Sequence, residues 1–266
     1  KVYEPGGDMN LIKERVLFFM KRHNNGVKSG QLNLVLFDDA LGHLLRISRI
    51  LGVPRGSCLL VGVGGSGKQS LTRLSAYIAR HDVFQITLTK TYNVASLLDD
   101  IRELYKLAGP QQKKVTFLIT DSEIKDERFL LYFNSILMTG DIGGLFAKEE
   151  IMGMCADLQV KFEKDRPNLH PTPDNLRQFF IDTVRDNLHL VLCMSPANPL
   201  FPVRAQRFPG IINGVTIDWF LAWPQEALVE GEFMLLWFTG CFLYTVRLCF
   251  FFCDFFSHHF FLFFFP

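Results

Sequence analysis

The stretch that most constrains this chain is residues 58–80, where the apolar run CLLV leads through GVGGSGK into the amphipathic segment QSLTRLSAYIAR. Gly62, Val63, Gly64, Gly65, Ser66, Gly67 and Lys68 fit the first seven positions of a phosphate-binding loop, which has to sit between a buried strand and the start of a helix. The glycines let the backbone turn tightly, so that successive N–H groups point inward and, with the positive end of the next helix, cradle phosphate oxygens. Lys68 then brings a mobile point charge to the β- and γ-phosphates. A glycine-rich turn with no ligand is the bland alternative. The strand before it, the helix after it and the lysine together argue against that.

Elsewhere, apolar runs alternate with helical stripes. Leu11, Ile12, Val16, Phe19 and Met20 predict an amphipathic helix over 11–22. A second helix is expected from Asp38 or Asp39, either able to cap it, with Leu41, Leu44, Leu45 and Ser48 on one face and a stop before Gly52. Asn93 is expected to cap a helix running to Gly109, and 129–139 reads as another. Strands are expected at 58–63, 84–89, 114–121 and 189–194, with a fifth at 215–217. Strands that are continuous apolar runs, alternating with helices, imply an α/β fold with a parallel sheet covered on both faces. Residues 140–173 break the rhythm and read as an insertion of helical pieces ending in a proline-rich loop.

Lys and Arg total 28 against 27 for Asp and Glu, a balance that gives no electrostatic footprint for nucleic acid. The six cysteines form no regular framework and the N-terminus has no signal-peptide pattern, so reduced thiols on the cytosolic side are expected. A start at Lys1 fits a piece of a longer polypeptide.

The other half of a nucleotide site needs a hydroxyl or carboxylate for Mg²⁺ and a group near the γ-phosphate. Gln69 stands where Ser or Thr usually offers its hydroxyl, leaving Ser70 as the next metal candidate. Asp121 closes the third strand and is the expected metal-side carboxylate. Glu123 is displaced by one residue from the usual adjacent position; it is either a catalytic carboxylate or a solvated helix-start charge. Ser195 and Asn198 leave the fourth strand at the same sheet edge and suit γ-phosphate contact or water orientation, against ordinary turn chemistry around Pro196 and Pro199. Arg204 and Arg207 are candidates for a finger reaching a neighbour's nucleotide, or for surface salt bridges.

LNLVLFDDALGHLLRISRI, PRGSCLLVGVGGSGKQSLTRLSAYIA, FQITLTKTYNVASLLDDIRELYKLAG, TFLITDSEIKDE, PTPDNLRQFFIDTVRDNLHLVLCMSP and TIDWFLAWPQEAL occur in that order. Together they resemble the fourth AAA+ module of dynein heavy chains, of the axonemal rather than the cytoplasmic type, from about Tyr3 to Val229. The resemblance implies a P-loop AAA+ large subdomain over 31–229, preceded by a linker and helix over 1–30, with the helical small subdomain missing. It also implies ATP or ADP with Mg²⁺ at a regulatory rather than main hydrolytic site, and an isolated chain that binds ATP with little or no turnover. The expected partners are neighbouring AAA+ modules of the same heavy chain and, through the full-length protein, intermediate and light chains and microtubules. Cytoplasm, cytoskeleton and the cilium axoneme are the expected locations. Gln69 after the lysine and the separated Asp121/Glu123 pair are family features on this reading, and Leu34 to Leu36 fall where adenine-side contacts are expected. The family's arginine-rich run before Phe-Pro is reduced here to FPVRAQRFP, which keeps Arg204 and Arg207.

Residues 230–266 hold a disproportionate share of the 27 Phe. They are expected to be foreign to the family, a translated intron or shifted frame. Phe233 to Val246 is too short for a membrane anchor, which needs about 20 apolar residues. Cys249, Cys253, His258 and His259 lack the turn residues of a zinc loop.

Overall fold

In the computed structural model, residues 7–27 and 30–221 are described; they lie within one compact unit, Lys1–Ala222. The 230–266 segment, with its anchor and zinc readings, lies outside the described residues. The chain opens with helices α1 (Met9–Gly26) and α2 (Asp38–Leu51) and strand β1 (Cys58–Val61). Next come α3 (Lys68–Ala79), β2 (Asp82–Gln85), α4 (Val94–Ala108), β3 (Val115–Thr120) and α5 (Arg128–Met138). After these follow α6 (Lys148–Asp157), α7 (Gln159–Asp165), α8 (Pro173–Asn187) and β4 (Leu188–Met194). The last elements among the described residues are α9 (Leu200–Arg207), α10 (Gly210–Asn213) and β5 (Thr216–Trp219).

The five strands pair in parallel in the order β2-β3-β4-β1-β5. Because side chains alternate across a strand, each central strand feeds two cores. Leu59, Val61, Phe117, Ile119, Leu190 and Leu192 pack with α4, α5 and α8 on one face. On the other, Cys58, Leu60, Leu118, Val191 and Cys193 join α1, α2 and α3. This two-faced burial is why β1, β3 and β4 are apolar at nearly every position. Between α5 and α8, Met154 and Cys155 of α6, Phe162 of α7 and Leu158 between the two helices extend the first core. No helix among the described residues is long and apolar enough to cross a membrane.

Three local expectations need correction. The second strand occupies Asp82–Gln85 rather than 84–89, because its partners are Val115 to Leu118 and the chain leaves the sheet after Gln85. On α2 the buried stripe is Leu41, Leu44, Ile47 and Leu51, whereas Leu45 is 41% exposed; Ile47 takes the place that Leu45 was expected to fill. Neither Asp38 nor Asp39 caps that helix. Phe37 holds the cap position and both aspartates sit in the first turn, where they complement the positive end of the helix dipole. Asn93 does cap α4, its side chain accepting from Ala95 N and Ser96 N.

At the sheet end away from the glycine-rich loop, His81 and His189 are buried and stack with centroids 4.6 Å apart. His189 Nδ1 lies 2.6 Å from Gly56 O, so that nitrogen carries the hydrogen and donates. Burial, only partly opposed by this hydrogen bond, holds the His189 pKa below its ordinary 6.5. As the pH falls below about 6.5, the unfolded chain therefore binds a proton here that the folded chain resists. Stability from this group is complete above that pH and is lost between it and the lower folded value. Urea midpoints followed from pH 7.5 to 5 should fall for the wild type and fall less for His189→Gln. Parallel curves would rule this residue out as a cause.

Candidate functional site

The loop between β1 and α3 is built on two left-handed glycines, Gly65 and Gly67, each with φ of 79°. A side chain at either would be strained. Gly62 is required for a different reason: a Cβ there would lie 2.6 Å from Phe220 Cβ, because Phe220 N donates to Val61 O at 2.7 Å and draws β5's end against the loop. Behind Phe220, His43 stacks at 3.9 Å and pairs through Nδ1 with Asp218 Oδ2 at 2.7 Å, while Arg46 reaches Asp218 Oδ1 at 3.1 Å. This support for the loop was not visible in the sequence, since His43 and Asp218 are 175 positions apart.

Lys68, the first residue of α3, folds back over the loop. Its Nζ donates to Gly62 O at 2.6 Å, Val63 O at 2.7 Å and Ser66 Oγ at 2.9 Å. Burial lowers its pKa, opposed in part by the nearby Asp121 carboxylate. The backbone of Gly62 and Gly64 to Gly67 lines a cavity of about 510 Å³ together with Lys68, Gln69 and Ser70. Across it stand Thr120, Asp121 and Ser122 from the end of β3, and Cys193, Met194 and Ser195 from the end of β4. Sheet order explains the meeting, because β3, β4 and β1 are adjacent and parallel and so release their C-terminal ends along one edge.

The expected residues divide on this geometry. Gly62, Gly64, Gly65, Ser66, Gly67, Lys68, Gln69, Ser70, Asp121 and Ser195 share the cavity. Val63 contributes its carbonyl to Lys68 and exposes its side chain. Glu123 is no solvated charge: it is 6% exposed, its Oε2 accepts from Thr120 N at 2.6 Å, and its Oε1 accepts from Gln85 Nε2 at 2.6 Å. Gln85 is held in turn by Arg73, which donates to its Oε1. Asn198 is not among the cavity residues; its Oδ1 accepts from Leu200 N at 3.0 Å at the start of α9.

Arg204 is buried, with Nη1 donating to Asp121 Oδ1 at 2.9 Å and Nη2 to Glu127 Oε1 at 2.7 Å. The reading of it as a finger for a neighbour is thereby corrected, because two carboxylates of its own chain hold it inward. Arg207 remains exposed, its guanidinium 5.5 Å from the Phe208 ring centre. Ser70 and Asp121 both line the cavity, and hydroxyl and carboxylate oxygens are donor types that magnesium takes.

Residues 32–234 match the family described as P-loop containing dynein motor region D4. Rat dynein axonemal heavy chain 5 is 48% identical over 229 residues, which is 86% of this chain and 7% of that protein. The dynein gamma chain of the flagellar outer arm from Chlamydomonas reinhardtii is 47% identical over 241 residues, 90% of this chain and 5% of that protein. Mouse dynein axonemal heavy chain 8 is 45% identical over 249 residues, 93% of this chain and 5% of its own length. This chain thus spans only a small fraction of the relatives it matches. The expectation that likeness to the family stops at Val229 finds no support, since the family match runs to residue 234 and the mouse match covers more of the chain than residues 1–229 amount to. Glycine-rich loop, strand order and sequence likeness agree: the chain belongs to the P-loop-containing D4 region family of dynein motors.

Proposed function

We infer that this chain is an ATP- and ADP-binding AAA+ module of an axonemal dynein heavy chain, acting as a regulatory nucleotide site in a ciliary, microtubule-based motor. The observation that carries this reading is the cavity in which Lys68, the loop backbone and Asp121 converge. Phosphate oxygens take over the bonds that Lys68 Nζ makes to Gly62 O, Val63 O and Ser66 Oγ, and the N–H groups at the start of α3 receive the remaining charge. Ser70 and Asp121 would hold the accompanying magnesium, which would neutralise phosphate charge. Gln69, beside Ser70, supplies an amide in place of a hydroxyl.

Neighbouring AAA+ modules of the same heavy chain are the direct partners. Intermediate and light chains and microtubules are reached through the whole motor, in the axoneme. Both carboxylate oxygens of Glu123 are engaged, to Thr120 N and Gln85, and this suits a site that holds nucleotide rather than one that turns it over rapidly.

Binding to the folded state alone raises stability by about 2.7 kcal/mol when free ligand is 100 times Kd. Thermal melts of the full chain should therefore shift upward with MgATP or MgADP in a concentration-dependent way, and not with adenosine. A melting temperature indifferent to nucleotide over the millimolar range would reject the proposal.

A further inference from the structure

Arg204 lies on α9, outside the glycine-rich loop, and is 4% exposed. Burying a guanidinium is costly unless it is paired and hydrogen-bonded, and here one side of the pairing runs to the carboxylate that lines the phosphate cavity. Arg204 Nη1 donates to Asp121 Oδ1 at 2.9 Å, and its Nε and Nη2 both donate to Glu127 Oε1, at 3.1 and 2.7 Å. Asp121 Oδ2 accepts from Ser195 N at 2.6 Å. The carboxylate is thus gripped by a guanidinium on one oxygen and by the backbone at the exit of β4 on the other. A carboxylate offers about four lone-pair directions, and this grip takes two of them. Glu127 anchors the far side of the guanidinium, so Arg204 cannot follow Asp121 if that side chain turns.

The geometry points to Arg204 as a positioning residue for Asp121, fixing the orientation in which this carboxylate meets the magnesium of a bound nucleotide. The assignment rests on the nucleotide-binding reading above. Groups that orient a metal ligand from behind typically change metal affinity by about 10- to 100-fold when removed. The signature is therefore a loss of the metal's contribution to binding, not of nucleotide binding as such.

The test measures dissociation constants of a fluorescent ADP analogue for the full chain, in excess Mg²⁺ and in EDTA, with circular dichroism as a check on folding. In wild type, Mg²⁺ should tighten binding. In Arg204→Gln that gain should shrink by about tenfold or more, with affinity in EDTA unchanged. Arg204→Lys, which keeps a cation, should recover part of the gain. Glu127→Gln, which loosens the outer anchor at a partly exposed residue, should fall between. Should Arg204→Gln fail to fold, the other two variants carry the test.

A Mg²⁺ gain equal to wild type in every folded variant overturns the proposal and leaves nucleotide binding standing. Equal losses in Mg²⁺ and EDTA also overturn it, because they mark a residue that only holds the fold. A wild type that binds the analogue without any Mg²⁺ gain does the same, and one that binds no analogue in either condition sinks both this proposal and the nucleotide reading.

Discussion

Lys68→Ala should weaken nucleotide binding by at least about 100-fold, or ~2.7 kcal/mol, while leaving the sheet folded. Hydrogen bonds to charged groups contribute about 1.5–3 kcal/mol each, and an ammonium over two phosphates makes more than one. The fold should survive because Lys68 Nζ bonds only within its own loop, to Gly62 O, Val63 O and Ser66 Oγ. Helix α3 keeps Leu71, Leu74 and Ala76 in the core. In the variant, Gly62 O loses a donor in a buried bond, while Val63 O keeps the donors Ser66 N and Ser66 Oγ. A small stability loss is expected, with unchanged far-ultraviolet dichroism.

Turnover is the second large expectation. Made alone, the full chain should bind ATP and hydrolyse it barely or not at all. In a ring of AAA+ modules, charge on the γ-phosphate is stabilised by an arginine from the adjacent module, which a single copy of this chain does not meet. An arginine finger is worth about 10³ to 10⁵ in rate, ~4 to 7 kcal/mol of barrier. Its own Arg204 cannot substitute, being committed to Asp121 and Glu127. Glu123, the carboxylate nearest the expected position of a general base, is engaged on both oxygens by Thr120 N and Gln85. Single-turnover assays with protein in excess over labelled ATP should show slow or absent product formation. Rapid multiple turnover that disappears in Lys68→Ala would instead mark a self-sufficient ATPase.

What the sequence revealed and what it hid follow from the range of the interactions. The loop, α3 and the ends of β1 and β3 are specified by local chemistry: two left-handed glycines, a lysine at the helix start and apolar runs buried on both faces. Asn93 could be read as a cap because its bonds reach only two and three residues ahead. The exact extent of β2 could not be read, because it is set by β3 rather than by the apolarity of residues 84–89. Likewise Leu45 and Ile47 satisfy similar helical stripes, and only the packing of α2 against α3 and the sheet decides which is buried.

The candidate site shows the same division more sharply. Its phosphate half was legible in seven consecutive residues. The inward turn of Arg204 was not, because its partners Asp121 and Glu127 lie 83 and 77 positions earlier and no local pattern links them. Glu123 had two readings on sequence grounds, and its burial against Gln85 emerges only when β2 and β3 are placed side by side.

The most direct measurement is a calorimetric titration of MgADP and of MgATP into the full chain, with Lys68→Ala alongside at equal concentration. The predicted result is one saturable site per chain in the wild type and no measurable saturation in the variant. Equal binding by the two proteins, or no binding by the wild type at millimolar nucleotide, would contradict the assignment of the Lys68 cavity as a nucleotide site.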